Sequence, residues 1–502
     1  MTAKFLMMQG TSSSAGKSLL VTALCHSFAR RGVSVAPFKA QNMSNNAAVC
    51  PDGAEIGRAQ AVQAMAAGLE PNADMNPILI KPEADSHSQV IVMGRPWRSL
   101  AARDYYPKKD FLWQAVTTAL ERLRSAYELV IIEGAGSPAE LNLKASDIVN
   151  MAVASYANAP VLLVGDIDRG GIFAQLLGTL WLLPQKEQEL VRGFVVNKFR
   201  GDLSLFQDGI QILEERSHVP VLGVIPYIHD LNIPEEDAVV LDNPLLEHPA
   251  PSATVDIAVI HLPRIANFDD FDPLKEEPGV NVRFVDSPAD MGNPQAIILP
   301  GTKSTVDDLN WLHARGLSTA IQKHAQDGVA VVGICGGYQM LGKIIHDPEQ
   351  VESSTEHTPG LGLLTTETTF APRKATYQAV ARVKGGPGWF TGLQGQTIIG
   401  YEIHMGRTHG EDSWLEITSR NGQPANVLDG SANEDGRIWG CYIHGLFANT
   451  SLRRAWLTSL GWQASQPEPA NTFMASLTHL TDTVEAALDM QYLENILWDN
   501  SP

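Results

Sequence analysis

Two doubly wound, mainly parallel α/β sheets in tandem, followed by a helical C-terminal tail, are the fold class this sequence predicts. Three observations carry that expectation. Short apolar runs of strand length alternate with helix-length segments through the first 233 residues, and the alternation resumes after residue 254. Between them lies a stretch with Pro at 234, 244, 249 and 251, an acidic Glu235-Glu236-Asp237 patch and little periodicity. A chain of 502 residues also exceeds what one core supports. The expected division is residues 1–233, a linker over 234–253, a second unit over 254–450 and a helical segment over 451–502.

Composition narrows the function classes. With 44% hydrophobic and 19% charged residues the chain reads as an ordinary globular protein. A net charge of −19 argues against nucleic acid and anionic membrane as partners, because both would repel it. The four cysteines (Cys25, Cys50, Cys335, Cys441) are widely spaced without a CxxC pair, so neither a disulfide framework nor a zinc site is expected. The start MTAKFLMMQGTSSS has one Lys and a short apolar run, too short for a signal peptide. No apolar stretch reaches the length of a bilayer span. A cytoplasmic location is the expectation, and no internal repeat or low-complexity tract is visible.

In the first half, Phe5–Gln9 reads as a strand running into Gly10-Thr11-Ser12-Ser13-Ser14-Ala15-Gly16-Lys17-Ser18. Leu19–Arg31 then has helical periodicity and stops at Gly32. Strand, Gly-rich loop, Gly-Lys-Ser and helix are the context a phosphate-binding loop requires. Backbone N–H groups of Gly10, Thr11, Ser12, Ser13 and Gly16 would cradle the phosphates of ATP, Lys17 would neutralise charge, and the Ser18 hydroxyl can ligate Mg²⁺. The spacing is one residue longer than GxxxxGK[ST] and resembles the loop of dethiobiotin synthetase and its relatives.

Val33–Phe38 is a second strand, followed by the polar loop Lys39–Asn46 on the ligand side of the sheet, with Lys39 expected at the nucleotide. Glu55–Ala67 reads as a small-residue helix, Val90–Met93 as a strand and Asp110–Ser125 as a helix. Leu129-Val-Ile-Ile-Glu133 is a buried parallel strand ending in a carboxylate with glycines after it, and Glu133 there can hold Mg²⁺ opposite the phosphate loop. Pro160–Gly165 ends in the polar cluster Asp166-Ile-Asp168-Arg169. Gly193–Asn197 and Val221–Ile225 complete the series, with Asn197 expected near the nucleotide base.

The second half repeats the scheme with Asp256–His261, Val280–Val285, Ala296–Pro300 and the strand into Cys335. Cys335 sits at a strand-to-helix turn flanked by Gly336 and Gly337. Free N–H groups at a helix N-terminus lower a thiol pKa and can hold an oxyanion. His444, after a short β run, is the candidate base for Cys335. The tail after Leu452 is mostly helical, and the acidic face of 484–499 suits packing against the chain itself better than a membrane.

A lone cysteine at a tight turn is ordinarily a buried structural residue. Here Gly333-x-Cys335-x-Gly337-x-Gln339 resembles the nucleophile motif of class I glutamine amidotransferases, which implies thiolate attack on the side-chain amide of glutamine and release of ammonia. That resemblance assigns oxyanion N–H groups to Gly301, at the turn Leu299-Pro-Gly-Thr-Lys303, and to Gly336, and places Gln339 in the glutamine-binding set.

The whole chain resembles the cobyric acid synthases. The match runs through the Gly10–Ser18 loop, PFKAQNM (37–43), EIGRAQAVQA (55–64), EGAGSPAELNL (133–143), DIDRGG (166–171), NKFRGD (197–202), ICGGYQMLG (334–342), GYEIHMG (400–406) and YIHGLF (442–447). The resemblance implies ATP- and Mg²⁺-dependent amidation of the b, d, e and g carboxylates of adenosylcobyrinic acid a,c-diamide, with nitrogen from glutamine. Glu133, Asp147 and Asp166 follow or flank expected strands on the ligand side and are expected to position Mg²⁺ and the corrinoid near the γ-phosphate, with Asp168 and Arg169 as further candidates for the corrinoid; helix capping and solvation are the alternative for Asp147 and Asp166. One departure stands out: class I enzymes usually carry Glu two residues after the His, and here that position is Leu446. Either Glu402 is the third member or a Cys–His dyad suffices. Two other readings are cobyrinic acid a,c-diamide synthase, with the same chemistry on other carboxylates, and a Walker-type switch ATPase with an inert second domain.

Overall fold

The computed structural model describes residues 3–84, 87–229, 231–234, 254–410, 413–463 and 472–498. The proline-rich stretch read as a linker lies, apart from its first residue, outside the described residues.

Six parallel strands make the first sheet. Its order is Val221–Pro226, Val191–Phe199, Val161–Asp166, Lys4–Gly10, Leu129–Glu133 and Val35–Phe38. Leu129–Glu133 is buried at all five positions, as an apolar strand covered on both faces requires. The chain leaves Lys4–Gly10, builds the edge at Val35–Phe38, fills in Leu129–Glu133 and only then crosses to Val161–Asp166. The order therefore reverses at the C-terminal end of Lys4–Gly10, where an open α/β sheet leaves its ligand crevice.

The second sheet runs Val280–Val285, Val255–Ile260, Ala296–Leu299, Ala330–Ile334, Ile438–Cys441 and Ser431–Ala432, parallel except for the last short strand. Its own reversal lies between Val255–Ile260 and Ala296–Leu299. Both sheets are of the doubly wound kind expected.

Among the described residues three further sheets form, and of their pairing the sequence showed only the strand expected at Val90–Met93, which is His87–Val92 here. Gln41–Met43, Ile78–Ala84, His87–Val92 and Arg95–Ala101 form a four-stranded sheet inserted into the first half. In the second half the long antiparallel pair Glu367–Val383 and Thr397–His409 anchors a larger sheet. The segment read as one helix over 55–67 divides: Glu55–Gly57 pairs with Ala47–Val49, and the helix is Arg58–Ala66.

The C-terminal segment also divides. Helix Thr450–Ser459 buries Leu452, Trp456 and Leu457 in the core of the second sheet. Helices Thr472–Ala487 and Met490–Trp498 return to the first half, where Leu477, Leu480 and Val484 pack with Leu20, Leu24 and Phe28 of helix Lys17–Arg30. The acidic face is met by Arg30, on Asp482 and Glu485, and by Arg31, on Glu485 and Glu494. Among the described residues no helix is long and apolar enough to cross a membrane.

Candidate active sites

The first site forms at the reversal of the first sheet. Gly16 adopts φ 93°, and a Cβ there would collide with the Asn197 amide, so the loop closes only on glycine. Lys17 Nζ bonds the carbonyls of Ser12 and Ser13 at 3.0 and 3.1 Å, curling back over its own loop. A Cβ on Gly10 would lie 2.9 Å from that amine. Thr11 Oγ1 reaches Gln175 at 3.0 Å.

Glu133 is the hub. Its Oε1 accepts from Ser18 Oγ and from Lys39 Nζ, each at 2.8 Å, and its Oε2 accepts from Gln63 Nε2 at 2.6 Å. Burial would raise the Glu133 pKa, but Lys39, the two side-chain hydrogen bonds and Lys17 outweigh it and hold the group below the usual carboxylate range. The structure thus brings Ser18, Lys39 and Glu133 together and adds Gln63, whose Oε1 is buried without a hydrogen-bond partner among the described residues. Gln63 sits mid-helix in a small-residue run, and no spacing signal distinguishes it from a core residue.

Asn197 lies behind the loop, its Nδ2 donating to the Ala15 carbonyl at 2.8 Å, so it braces the glycine turn. Asp166 is joined to the loop through Lys198, which bonds both Asp166 Oδ2 (2.9 Å) and the Ser14 carbonyl (2.8 Å). Arg169 is an outer partner of Asp166 at 3.7 Å, and Asp168 pairs with Arg200 at 2.7 Å. Asp147 has another occupation. Its Oδ1 accepts from the N–H groups of Val149 and Asn150 and its Oδ2 from that of Ala152, the capping arrangement at the start of helix Met151–Ala157.

The second site is assembled from the C-terminal ends of four neighbouring strands. Val255–Ile260 leads to the loop Asn267–Asp270, Ala296–Leu299 to Gly301, Ala330–Ile334 to Cys335, and Ile438–Cys441 to His444. Cys335 has φ 53° and ψ −109°, a left-handed conformation that non-glycine residues avoid and that marks functional turns. A Cβ at Gly337 would run into the Leu299 carbonyl, and one at Gly333 into the Gly337 backbone, which is why glycines flank the turn. Gly336 follows Cys335 and Gly301 faces His444: a Cβ on Gly301 would meet His444 Cε1 at 2.8 Å, and one on Gly336 the Thr302 methyl at 2.7 Å. Gln339 lines the same cavity, held by Thr305 Oγ1 at 3.0 Å and by Tyr442 at 3.2 Å.

His444 is 1% exposed, and its Nδ1 lies 2.7 Å from Asp270 Oδ2. Asp270 Oδ1 accepts the Gly445 N–H at 2.7 Å, fixing the carboxylate. The Tyr401 ring stacks on the imidazole at 5.2 Å and 20°. Burial alone would lower the His444 pKa. The negative charge of Asp270, the Cys335 sulfur and their hydrogen bonds overcome it and hold the imidazolium up at about 10. With Nδ1 committed to Asp270, Nε2 is left for the thiol.

Glu402, the candidate third member, is engaged elsewhere. Arg420 takes both its oxygens at 2.6 and 2.7 Å, and His404 Nε2 lies 3.2 Å from Oε1. The carboxylate on His444 comes from Asp270, 174 residues upstream. Nothing local in the sequence links the two. The only available sign was an acidic pair, Asp269-Asp270, in the loop beyond a strand's C-terminal end.

The two sites share a seam. Lys81 and Gln89 of the first half line the cavity that holds Cys335, together with Lys303 and Lys374 of the second. Glu55 is clamped between Lys81 (2.8 Å) and Lys374 (2.5 Å), and Lys303 pairs with Glu83 (2.8 Å). The Asn267 N–H donates to Asn46 Oδ1 at 2.7 Å, and the Ala47 N–H donates to Asn267 Oδ1 at 2.9 Å.

Comparisons with known proteins follow this division. Residues 6–240 match the CobQ/CobB/MinD/ParA nucleotide binding domain, and residues 256–452 the CobB/CobQ-like glutamine amidotransferase domain. A protein of Chloroflexus aurantiacus named cobyric acid synthase is 54% identical, the alignment covering 99% of this chain and 100% of that one. Its namesake in Roseiflexus castenholzii is 54% identical over 97% of this chain and 98% of its own. One from Dehalococcoides mccartyi is 50% identical over 99% of both.

Proposed function

The chain belongs to the cobyric acid synthase family, and on that premise we propose how its two sites divide a glutamine- and ATP-dependent amidation in cobalamin synthesis. The substrate proposed is adenosylcobyrinic acid a,c-diamide, converted at its b, d, e and g carboxylates to adenosylcobyric acid. The observation that carries the reading is the Cys335–His444–Asp270 alignment in a cavity walled by both halves of the chain.

At the thiol site, Cys335 as thiolate attacks the amide carbon of glutamine. The developing oxyanion is received by N–H groups at Gly336 and Gly301. His444, charged and oriented by Asp270, gives its Nε2 proton to the departing nitrogen, which leaves as neutral ammonia. Water, deprotonated by the same imidazole, then releases glutamate from the thioester.

At the other site the carboxylate must be activated, because its charge repels nucleophiles and its oxygen leaves badly. Phosphoryl transfer from ATP gives an acyl phosphate, ammonia attacks its carbon, and phosphate leaves. Lys17 would turn from the Ser12 and Ser13 carbonyls onto the phosphates, and Lys39 would share that charge. The site fits Mg²⁺: Ser18 Oγ and Glu133 Oε1 are hard oxygens 2.8 Å apart and already converge. Among the described residues no group of three or more His, Cys, Asp or Glu side chains could cage a metal ion, so water and phosphate would supply the other ligands, as Mg²⁺ prefers. When bound, the ion offsets phosphate charge. Asp166, tied to the loop through Lys198, with Arg169 outside it, is proposed on the corrinoid side; Asp147 keeps its capping role.

The test is to incubate the protein with ATP, Mg²⁺, glutamine and the a,c-diamide, and to follow the products by mass. Conversion of the four carboxylates is expected. Turnover of cobyrinic acid to its a,c-diamide, with no reaction of the a,c-diamide itself, would favour the alternative synthase.

A further inference from the structure

We propose that Arg58, a residue of the nucleotide-binding half, is a positioning residue for the Cys335–His444–Asp270 set of the other half. This rests on the glutaminase reading of that set. Arg58 opens helix Arg58–Ala66, and its guanidinium reaches across the seam in two directions. Nε donates to Asp269 Oδ2 at 2.6 Å, and a terminal nitrogen pairs with the same oxygen. The guanidinium also lies over the Tyr401 ring, 5.5 Å from its centroid.

Both contacts end on His444. Asp269 immediately precedes Asp270, the residue that holds His444 Nδ1, so pinning one carboxylate fixes the backbone that presents the other. Tyr401 stacks on the imidazole, and its backbone exchanges hydrogen bonds with that of His444 at 2.9 and 3.1 Å. The imidazole is thus held on one edge by a carboxylate and on one face by a ring, and a single guanidinium touches the supports of both. A planar fork that bonds in its plane and stacks on its face can do this; an ammonium cannot.

Burial makes the arrangement consequential. The Asp269 carboxylate is nearly inaccessible, and its Oδ1 has no hydrogen-bond partner among the described residues, so Arg58 is the charge that keeps this carboxylate in place. Without it, an uncompensated anion would sit beside Asp270, and the loop would move to relieve it. A displacement of about 1 Å at a catalytic group costs on the order of 10² in rate. Arg58 therefore acts on His444 through its supports and touches no reacting atom. The glutamine-hydrolysing set is complete only when the first half is docked against it.

The experiment uses the full-length chain and compares wild type, Arg58→Ala, Arg58→Lys and Cys335→Ala for glutamine hydrolysis and for ammonia-dependent amidation. Arg58→Ala is expected to lower kcat for glutamine roughly 10- to 100-fold with little change in KM, while amidation with ammonia proceeds at the wild-type rate. Arg58→Lys, which keeps the charge without the fork, should recover part of the loss. A wild-type kcat in Arg58→Ala overturns the proposal, and so does a parallel fall of both activities, which would mean a structural role. Should Arg58→Ala fail to accumulate as folded protein, Arg58→Lys carries the test: a kcat equal to wild type there overturns it. Glutamine hydrolysis by Cys335→Ala would instead refute the glutaminase reading itself.

Discussion

Replacing Asp270 with Asn keeps the shape beside His444 and removes the charge. The imidazole is fully buried, and burial by itself opposes protonation; Asp270 and the Cys335 sulfur reverse this and hold the group at about 10, against an ordinary 6.5. That gap corresponds to about 5 kcal/mol favouring the imidazolium, shared between the two partners. The sign follows from linkage. A histidine whose pKa is raised on folding contributes stability that is complete below about pH 6.5 and is lost as pH rises through about 10. In Asp270→Asn that contribution shrinks, and Nδ1 can settle in the wrong tautomer. Urea unfolding should therefore show wild type losing stability between about pH 7 and 10, and the variant a flatter dependence. Glutamine hydrolysis should fall roughly 10²- to 10⁴-fold near neutral pH, and its alkaline limb should move down. An unchanged alkaline limb with an unchanged rate would refute the assignment of Asp270 to His444.

Three other substitutions separate the sites. Lys17→Ala should abolish amidation and leave glutamine hydrolysis at least partly intact, since its amine lies on the phosphate loop; loss of both in a folded protein would contradict two sites. Cys335→Ala should lose glutamine-dependent amidation but recover it with ammonium chloride at alkaline pH, because free NH₃ rises about tenfold per pH unit below its pKa; failure of rescue in a folded, ATP-binding variant would sink the division of labour. Glu133→Gln should raise the Mg²⁺ concentration needed for amidation and cut its rate, and it leaves Lys39 buried beside a neutral amide, so its unfolding midpoint should fall as well. Unchanged Mg²⁺ dependence would remove the metal assignment.

What the sequence made legible was local. The phosphate loop, the strand ending in Glu133 and the glycine-flanked Cys335 are each set by a few consecutive residues, and so are the two parallel sheets, because apolar runs such as Leu129–Glu133 leave few alternatives. What it hid was made by contact between distant segments. Asp270 reaches His444 across 174 positions, and Glu402, nearer and inside a motif, is taken by Arg420 and His404. The further sheets, of which only the strand at Val90–Met93 was legible, were hidden for a related reason. In Gln41–Met43 and Ile78–Ala84 the strands are short or punctuated by Pro82, and pairing between strands, not propensity, creates them.

The seam between the halves combines an apolar cluster, in which Ala47, Val49, Leu79 and Ile91 meet Ile403, with buried ion pairs. Glu55, 1% exposed, lies between Lys81 of its own half and Lys374 of the other, and Glu83 takes Lys303. Buried ion pairs add little net stability, because desolvation offsets their attraction, yet they tolerate almost no displacement. Burial brings Lys374 down to about 8, with Glu55 opposing the fall. Three of these lysines face the cavity that holds Cys335. Ion pairs of this kind thus help to fix the register of the two halves.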